Sequence, residues 1–163
     1  MAMIKKLISG KFYTVALILA VAAVVGFNFY GNVSAQTDEV KAVTNVLTRE
    51  SAAVEKGDLA ALDKIWSNDA SVLVFENGGV NEGWENYRNK HLAPELKSFR
   101  DLKYSVSDIA VKTNKKLAWA TYKYTLAADF NKRKIETGGV GTMIFEKKDG
   151  KWLIVHSHTS AGY

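Results

Sequence analysis

The sequence predicts an α+β fold in which one curved antiparallel sheet wraps around three N-terminal helices. Helical periodicity dominates the first half of residues 36–163, and long strand patterns separated by turn signals fill the second half. The last predicted strand, 151–160, begins apolar on both faces, which is typical of a strand inside a layered structure. Strands that follow a group of helices in this way favour the α+β class.

Residues 1–35 are predicted to be a secretory signal peptide. Three lysines precede an apolar run at 12–27, and the small residues VSA at 33–35 match a cleavage site. Cleavage after Ala35 would send the mature chain to the periplasm or the medium. The alternative is an uncleaved membrane anchor formed by residues 12–30, because this run approaches the ~20 residues that span a bilayer.

The remaining residues, 36–163, have the length of one ordinary domain. The formal net charge of +5 comes largely from the leader, which holds three of the 22 basic residues and none of the 17 acidic ones. Nucleic-acid binding is therefore disfavoured, and a membrane partner is expected only if the leader stays uncleaved. The chain has no Cys, which excludes disulfides and a lipoprotein anchor.

Helical spacing of four apolar residues predicts a first helix over 38–56 that ends at Gly57, and the residues that set this spacing are Val40, Val43, Val46 and Leu47. Asp58 then caps a short second helix over 59–66. A β-branched stretch predicts a strand over 71–76, and Asn77 begins a glycine-containing turn.

The third helix is predicted over 84–97. Pro94 clashes with the preceding turn of a regular helix, so a kink or a new start after Leu92 is expected. The following strands are predicted over 102–111, 117–129, 134–147 and 151–160. Asp149-Gly150 gives the last hairpin a strong two-residue turn signal. The glycine cluster at 138–141 suggests a bend or bulge in its strand.

Four segments of the chain resemble the SnoaL-like branch of the nuclear transport factor 2-like superfamily, which is related to ketosteroid isomerase. They are KGDLAAL at 56–62, WSNDA at 66–70, EGW at 82–84 and DGKWLIVHSHTS at 149–160. The resemblance implies an α+β cone with a pocket between sheet and helices, commonly paired into a homodimer through the sheet. Members include isomerases, dehydratases, cyclases and non-catalytic binding domains, so the fold does not settle the function.

Glu76 and His91 are the candidate catalytic residues. Ketosteroid isomerases use an acidic base on a strand and an oxyanion hole built from a Tyr and a protonated Asp. The predicted first helix contains no Tyr. The strand carboxylates that could face the pocket are Glu76, Asp129 and Glu136, and Glu76 best fits the base, either buried with a raised pKa or at the pocket rim. Imidazole titrates near neutrality, so His91 or His156 oriented by Glu76 is an alternative base.

The last strand carries two of the three His residues in the chain. Strict alternation puts His156 and His158 on one face with Trp152, Ile154 and Ser160. Together with His91, this pair predicts a metal site for Zn, Fe or Cu, with Glu76 as a further donor. The alternative is that both His are hydrogen-bonded pocket or interface residues, and no cofactor is otherwise expected.

These observations leave three hypotheses for the function. The preferred one is an exported domain that binds a small-molecule ligand in an aromatic-lined pocket with a polar His/Glu centre. The second is a cofactor-independent isomerase, dehydratase or cyclase, and the third is a His-based metal-binding protein. The predicted pocket residues are Trp66, Trp84, Tyr87, His91, Tyr124, His156 and His158.

Overall fold

Residues 36–162 are described by a computed structural model, and the chain divides into two units after Asp38. The description below concerns the unit from Glu39 onwards, together with the start of its first helix. The predicted signal peptide lies outside the described residues. Within the described range no helix is both long enough and apolar enough to cross a membrane.

Helix α1 spans residues 36–56 and ends as predicted. Gly57 adopts a φ of +65°, a left-handed conformation that glycine takes without strain. Its N–H donates to the Val54 carbonyl at 3.0 Å, and the Asp58 N–H donates to the Ala53 carbonyl at 2.9 Å. This pair of bonds satisfies the last carbonyls of the helix.

Helix α2 spans Leu59–Leu62 and is capped by Asp58, whose carboxylate accepts from the Ala61 N–H at 2.9 Å. It ends before the predicted Trp66, because the chain turns there to join the last strand. The Ile154 N–H donates to the Ile65 carbonyl at 2.8 Å, so a tertiary contact replaces the expected helical turn.

The third helical region is divided into three parts. Helix α3 spans Trp84–Tyr87, a π-helical segment spans Arg88–Leu92, and helix α4 spans Ala93–Ser98. Pro94 lies in the first turn of α4, where its missing N–H costs least. The predicted new start after Leu92 is therefore confirmed.

Six strands form one sheet in the order β2-β1-β6-β5-β4-β3. Strand β1 pairs in parallel with β6, and all other neighbours are antiparallel. The strands are β1 Leu73–Glu76, β2 Gly79–Glu82, β3 Phe99–Asn114, β4 Leu117–Phe130, β5 Arg133–Lys148 and β6 Lys151–Ala161. The turn between β5 and β6 is Asp149-Gly150, with both φ angles positive, as predicted.

The core lies between α1 and the concave face of the sheet. Burial of each large apolar side chain stabilises the fold by about 1.5–3 kcal/mol. The largest fully buried side chains are Phe145, Leu47, Leu62, Ile154, Val43 and Val72. The predicted α+β class, with a curved sheet around N-terminal helices, is confirmed.

A β-bulge interrupts the pairing of β5 with β6. Ile144 pairs with His156 and Phe145 pairs with Ile154, so Val155 is an extra residue on β6. The glycine cluster at 138–141 shows no such interruption, and the bulge expected there is wrong. Because one extra residue reverses the alternation, β6 exchanges its two faces after Ile154.

Candidate functional site

A cavity of about 200 Å³ lies between the helices and the concave face of the sheet. Helices α1, α3 and α4 contribute one side, and the strands contribute the other. Apolar residues make up much of the lining, including Val54, Val74, Leu92, Leu96, Leu102, Leu126, Ile135 and Met143. A concave, mostly apolar cavity with a few polar groups is the usual form of a small-molecule site.

Aromatic side chains form a large part of the cavity wall. Trp66, Tyr87 and Tyr124 line it, as the sequence predicted, and Tyr104 and Tyr122 join them. The rings of Tyr104 and Tyr124 lie 6.0 Å apart, on neighbouring strands. The wall therefore presents several ring faces to any molecule inside.

Trp84 supports this wall from behind and does not line it. Its ring stacks on that of Trp66 with centroids 4.7 Å apart and planes 9° apart. The Trp84 indole N–H donates to Asp63 at 3.0 Å, and the same carboxylate oxygen accepts from Arg88 at 2.7 Å. This arrangement fixes the orientation of the Trp66 ring.

Glu50, on α1, is the site residue that the sequence reasoning missed. Only 7% of its surface is exposed, and it lines the cavity. Burial raises the pKa of Glu50 to about 8, and the negative charge of Glu76 adds to the shift. A signal was present, because Glu50 lies three residues after Leu47 and three before Ala53, on the apolar stripe of the helix.

Three buried polar atoms in the described part of the chain have no hydrogen-bond partner, and all three belong to residues of this cavity. They are Oε2 of Glu50, the indole nitrogen of Trp66 and the hydroxyl of Tyr122. Burial raises the pKa of Tyr122, although the nearby Ser157 side chain acts in the opposite direction. Buried polar groups normally have partners, so these atoms are suited to a molecule inside the cavity.

Glu76 stands at the rim of the cavity at the end of β1, held by two side chains. The Tyr87 hydroxyl donates to its Oε2 at 3.4 Å, and Nε2 of His91 lies 3.4 Å from the same oxygen. Asn81 contacts the other ring nitrogen of His91 at 3.3 Å. Both predicted catalytic residues are therefore adjacent, with His91 beside the rim and Glu76 in the lining.

Glu95, on α4, completes this rim. Its carboxylate lies 3.9 Å from Nε2 of His91. Burial raises the pKa of Glu95, as does the charge of Glu76, while His91 acts in the opposite direction. Ligand atoms of Glu76, His91 and Glu95 all lie within 4.8 Å of one another.

The bulge at Val155 removes the other two His residues from the cavity. Ser157 and Thr159 line the cavity, whereas His158 lies on the outer face with Val140 and Thr142. The ring of Phe75, on the outer face of β1, meets the rings of His156 and His158 edge-on at 5.2 and 5.8 Å. The predicted shared face with Trp152 and Ile154 is therefore wrong.

The predicted three-His metal site is wrong for the same reason. His156 and His158 point away from the face on which His91 lies, so the three imidazoles do not converge. For the same reason neither His belongs to the pocket lining. Burial lowers the pKa of His156, whose ring packs against Phe75.

Several solved structures share the fold of this chain. The chain is similar to a nuclear transport factor 2-like superfamily protein from Salmonella enterica serovar Typhimurium, at 19% identity and a TM-score of 0.73 over 78% of this chain and 94% of that one. A provisionally assigned dehydratase of the NTF2-like family from Streptomyces avermitilis gives 18% identity and a TM-score of 0.71 over 78% and 98%. A provisionally assigned ketosteroid isomerase from Shewanella frigidimarina gives 23% identity and a TM-score of 0.63 over 71% and 92%.

These likenesses define an NTF2-like fold, a class that includes isomerase-like and dehydratase-like proteins. The SnoaL-like domain family matches residues 37–163, and the chain belongs to that family. The resemblance read from the sequence is thereby confirmed. No curated protein matches this sequence.

Proposed function

We propose that this SnoaL-like domain binds a small organic molecule in the cavity between its helices and sheet. The observation that carries the proposal is that three buried polar atoms without a hydrogen-bond partner, on Glu50, Trp66 and Tyr122, belong to residues that line one cavity. Leaving such a group unpaired costs about 1–3 kcal/mol each, so a molecule that pairs with them gains binding free energy. The aromatic wall supplies apolar contact around these polar points.

Nuclear magnetic resonance spectra of the ¹⁵N-labelled domain test this proposal with indole, phenol, cyclohexenone, choline and benzoate as probes. Binding in the cavity is expected to shift the indole N–H signal of Trp66 and the backbone signals of Ser157 and Thr159. Ala161→Phe adds bulk at the cavity rim and should weaken every such shift. Ser160→Phe adds the same bulk on the outer face and is the matched control. Shifts that survive Ala161→Phe unchanged would place binding elsewhere.

A second candidate function is proton-transfer catalysis of the isomerase or dehydratase type. The observation that favours it is a buried carboxyl group with a raised pKa, on Glu50, in the cavity that Glu76 also lines. The raised pKa of Glu50, about 8, keeps it protonated at neutral pH, and Glu76 is the candidate base. A neutral carboxyl group can donate a hydrogen bond to a substrate oxygen while Glu76, beside His91, removes a proton.

Isomerisation of cyclohex-3-enone to cyclohex-2-enone, followed by ultraviolet absorbance, measures this activity. If the domain accelerates the reaction, Glu76→Gln should lower the rate about a hundredfold or more. His91→Ala should lower it less, because the imidazole acts through Glu76. Glu136→Gln changes an exposed carboxylate of β5 and is the control. A rate that is the same in Glu76→Gln removes this candidate.

We further propose that the domain is exported and acts as a homodimer. Export rests on the leader at 1–35, and mass spectrometry of the protein from the periplasmic fraction should give a chain that begins at Gln36. Dimerisation through the sheet is supported by exposed apolar residues on its outer face, where Trp119 is 43% and Val140 57% exposed. Sedimentation velocity should detect a dimer that Trp119→Glu dissociates, whereas Ala52→Glu on α1 should not.

A further inference from the structure

The charged groups of the cavity are all of one sign. Glu50, Glu76 and Glu95 line it, and none of its described lining residues is Lys, Arg or His. Residues 36–163 hold 19 basic and 17 acidic side chains, so this local excess of acid is not a general property of the domain. Several carboxyl groups around one apolar space without a cation are unfavourable unless an occupant or bound protons compensate.

Glu76 is central among the three carboxyl groups. Its charge raises the pKa of Glu50 on one side and that of Glu95 on the other. It is also the closest carboxylate to Tyr87 and His91, which hold it in place. A positive charge beside Glu76 would therefore interact favourably with the carboxylates of Glu76 and Glu95 at once.

Two basic side chains of the third helical region lie outside the cavity lining. Arg88, one residue after Tyr87, is bound to Asp63 and Asn89. His91 lies at the rim, where its Nε2 is 3.4 Å from Glu76, and it is outside the cavity lining. A cationic occupant would therefore bring Glu76 and Glu95 a positive charge that no residue of the described lining supplies.

The aromatic wall favours an organic cation over a bare ion. Ring faces attract ammonium groups, most strongly those of Trp and Tyr within about 6 Å, and apolar substituents on nitrogen fill the space between the rings. Trp66 is held rigidly by its stack on Trp84, and Tyr104 and Tyr124 stand on neighbouring strands. A cavity of about 200 Å³ accepts a small substituted ammonium ion.

We infer that the ligand is an organic ammonium ion, with its charge beside Glu76 and its apolar substituents against the rings of Trp66, Tyr104 and Tyr124. This inference rests on the proposed binding function and specifies the chemical class of ligand. A hydroxyl or carbonyl group on the same molecule would face the donors of Trp66 and Tyr122 deeper in the cavity.

Choline and 3,3-dimethylbutan-1-ol test the role of charge, because the two molecules have the same shape. Choline has a positively charged quaternary nitrogen where the alcohol has a neutral quaternary carbon. Dissociation constants are measured by titration of the Trp66 indole signal, with 3,3-dimethylbutanoate as the anionic member of the series. Choline is expected to bind about tenfold or more tightly than the alcohol, and the anion most weakly. Glu76→Gln and Glu95→Gln should each reduce the preference for choline, whereas Glu136→Gln should leave it unchanged.

Equal binding of choline and the alcohol would overturn the inference while leaving the proposed function in place. Failure of all three compounds to bind, when indole or phenol still shifts the Trp66 signal, would also overturn only the inference. If no probe of any kind shifts that signal, the proposed function fails with it. A zinc titration tests whether the rim is a metal site instead. Stoichiometric Zn²⁺ binding that His91→Ala abolishes and that choline does not displace would assign the rim to a metal and overturn the inference.

Discussion

On the concave face of the sheet, Ser157 and Thr159 line the cavity. On the outer face, one residue away in each case, His156 and His158 meet the Phe75 ring edge-on. Both pairs belong to the same strand, and all four side chains can form hydrogen bonds. The cavity on the concave side also contains the buried carboxyl group of Glu50 from α1, and the outer face adds exposed side chains such as Val140.

The difference between the two faces teaches that residue type alone did not identify the site. Imidazoles are the more usual sign of chemistry, yet the environment with partnerless buried groups is on the other side of the sheet. The single extra residue Val155 exchanges the two faces of β6 and so places His156 and His158 on the outer face. Substitutions on the two faces should therefore differ strongly in effect, and four comparisons test this.

The largest difference is expected between neighbours on β5. Phe145 is fully buried on the concave face, and Phe145→Ala should lower the free energy of unfolding by about 3–5 kcal/mol through the cavity it leaves. Ile144→Ala, on the outer face, should cost less than half as much. Urea unfolding followed by circular dichroism measures both. Similar losses would mean that the outer face is packed as tightly as the core.

The next effect concerns the pH dependence of stability. Glu50 has a pKa of about 8 in the folded protein against an ordinary value of 4.5, so the folded state holds the proton more tightly. The contribution of Glu50 to the free energy of unfolding is complete below its ordinary pKa of 4.5 and is lost as the pH rises through about 8. The free energy of unfolding should fall by roughly 3–5 kcal/mol over that range because of this group.

Glu50→Gln removes the titration while keeping the shape of the side chain. Its unfolding free energy should therefore decline far less between about pH 5 and about pH 9 than that of the unchanged protein. Glu136→Gln, which changes an exposed carboxylate, should retain the full decline. An identical decline in Glu50→Gln and the unchanged protein would show that Glu50 ionises normally.

A smaller effect is expected at Gly141, on the concave face. A Cβ atom there would lie 2.4 Å from Cζ of Tyr122, so Gly141→Ala should displace that ring and cost ~1–3 kcal/mol. Glu136→Ala, at an exposed position of β5, should change stability by no more than about 0.5 kcal/mol. Thermal unfolding compares the two. Equal melting temperatures would show that the Tyr122 ring moves freely.

The smallest effect is expected for the outer imidazole. His158→Ala should leave stability within about 0.5 kcal/mol and choline binding unchanged, because its ring is separated from the cavity by the sheet. His91→Ala should weaken choline binding, since it frees the Glu76 carboxylate to move. Titration of the Trp66 signal measures both variants. A loss of binding in His158→Ala would contradict the separation of the two faces.

Much of the fold was predictable because its signals are local. Gly57 ends α1, Asp58 caps α2, and Asp149-Gly150 turns β5 into β6, each through backbone preferences of the residue itself. Pro94 marked the new helical start for the same kind of reason. The position of Glu50 on an apolar helical stripe was also readable from periodicity, but its place in the cavity was not.

The sequence by itself determined the fold class, the order of its elements, the pair Glu76 and His91, and most of the aromatic wall. Only the tertiary structure decided which face of β6 meets the cavity. Strand alternation is a local rule, and a bulge depends on how β6 fits the strand beside it and the core beneath it. The same packing brings Glu50, from α1, together with Glu76 and Glu95 around one cavity. This concentration of acidic side chains exists only in the folded structure.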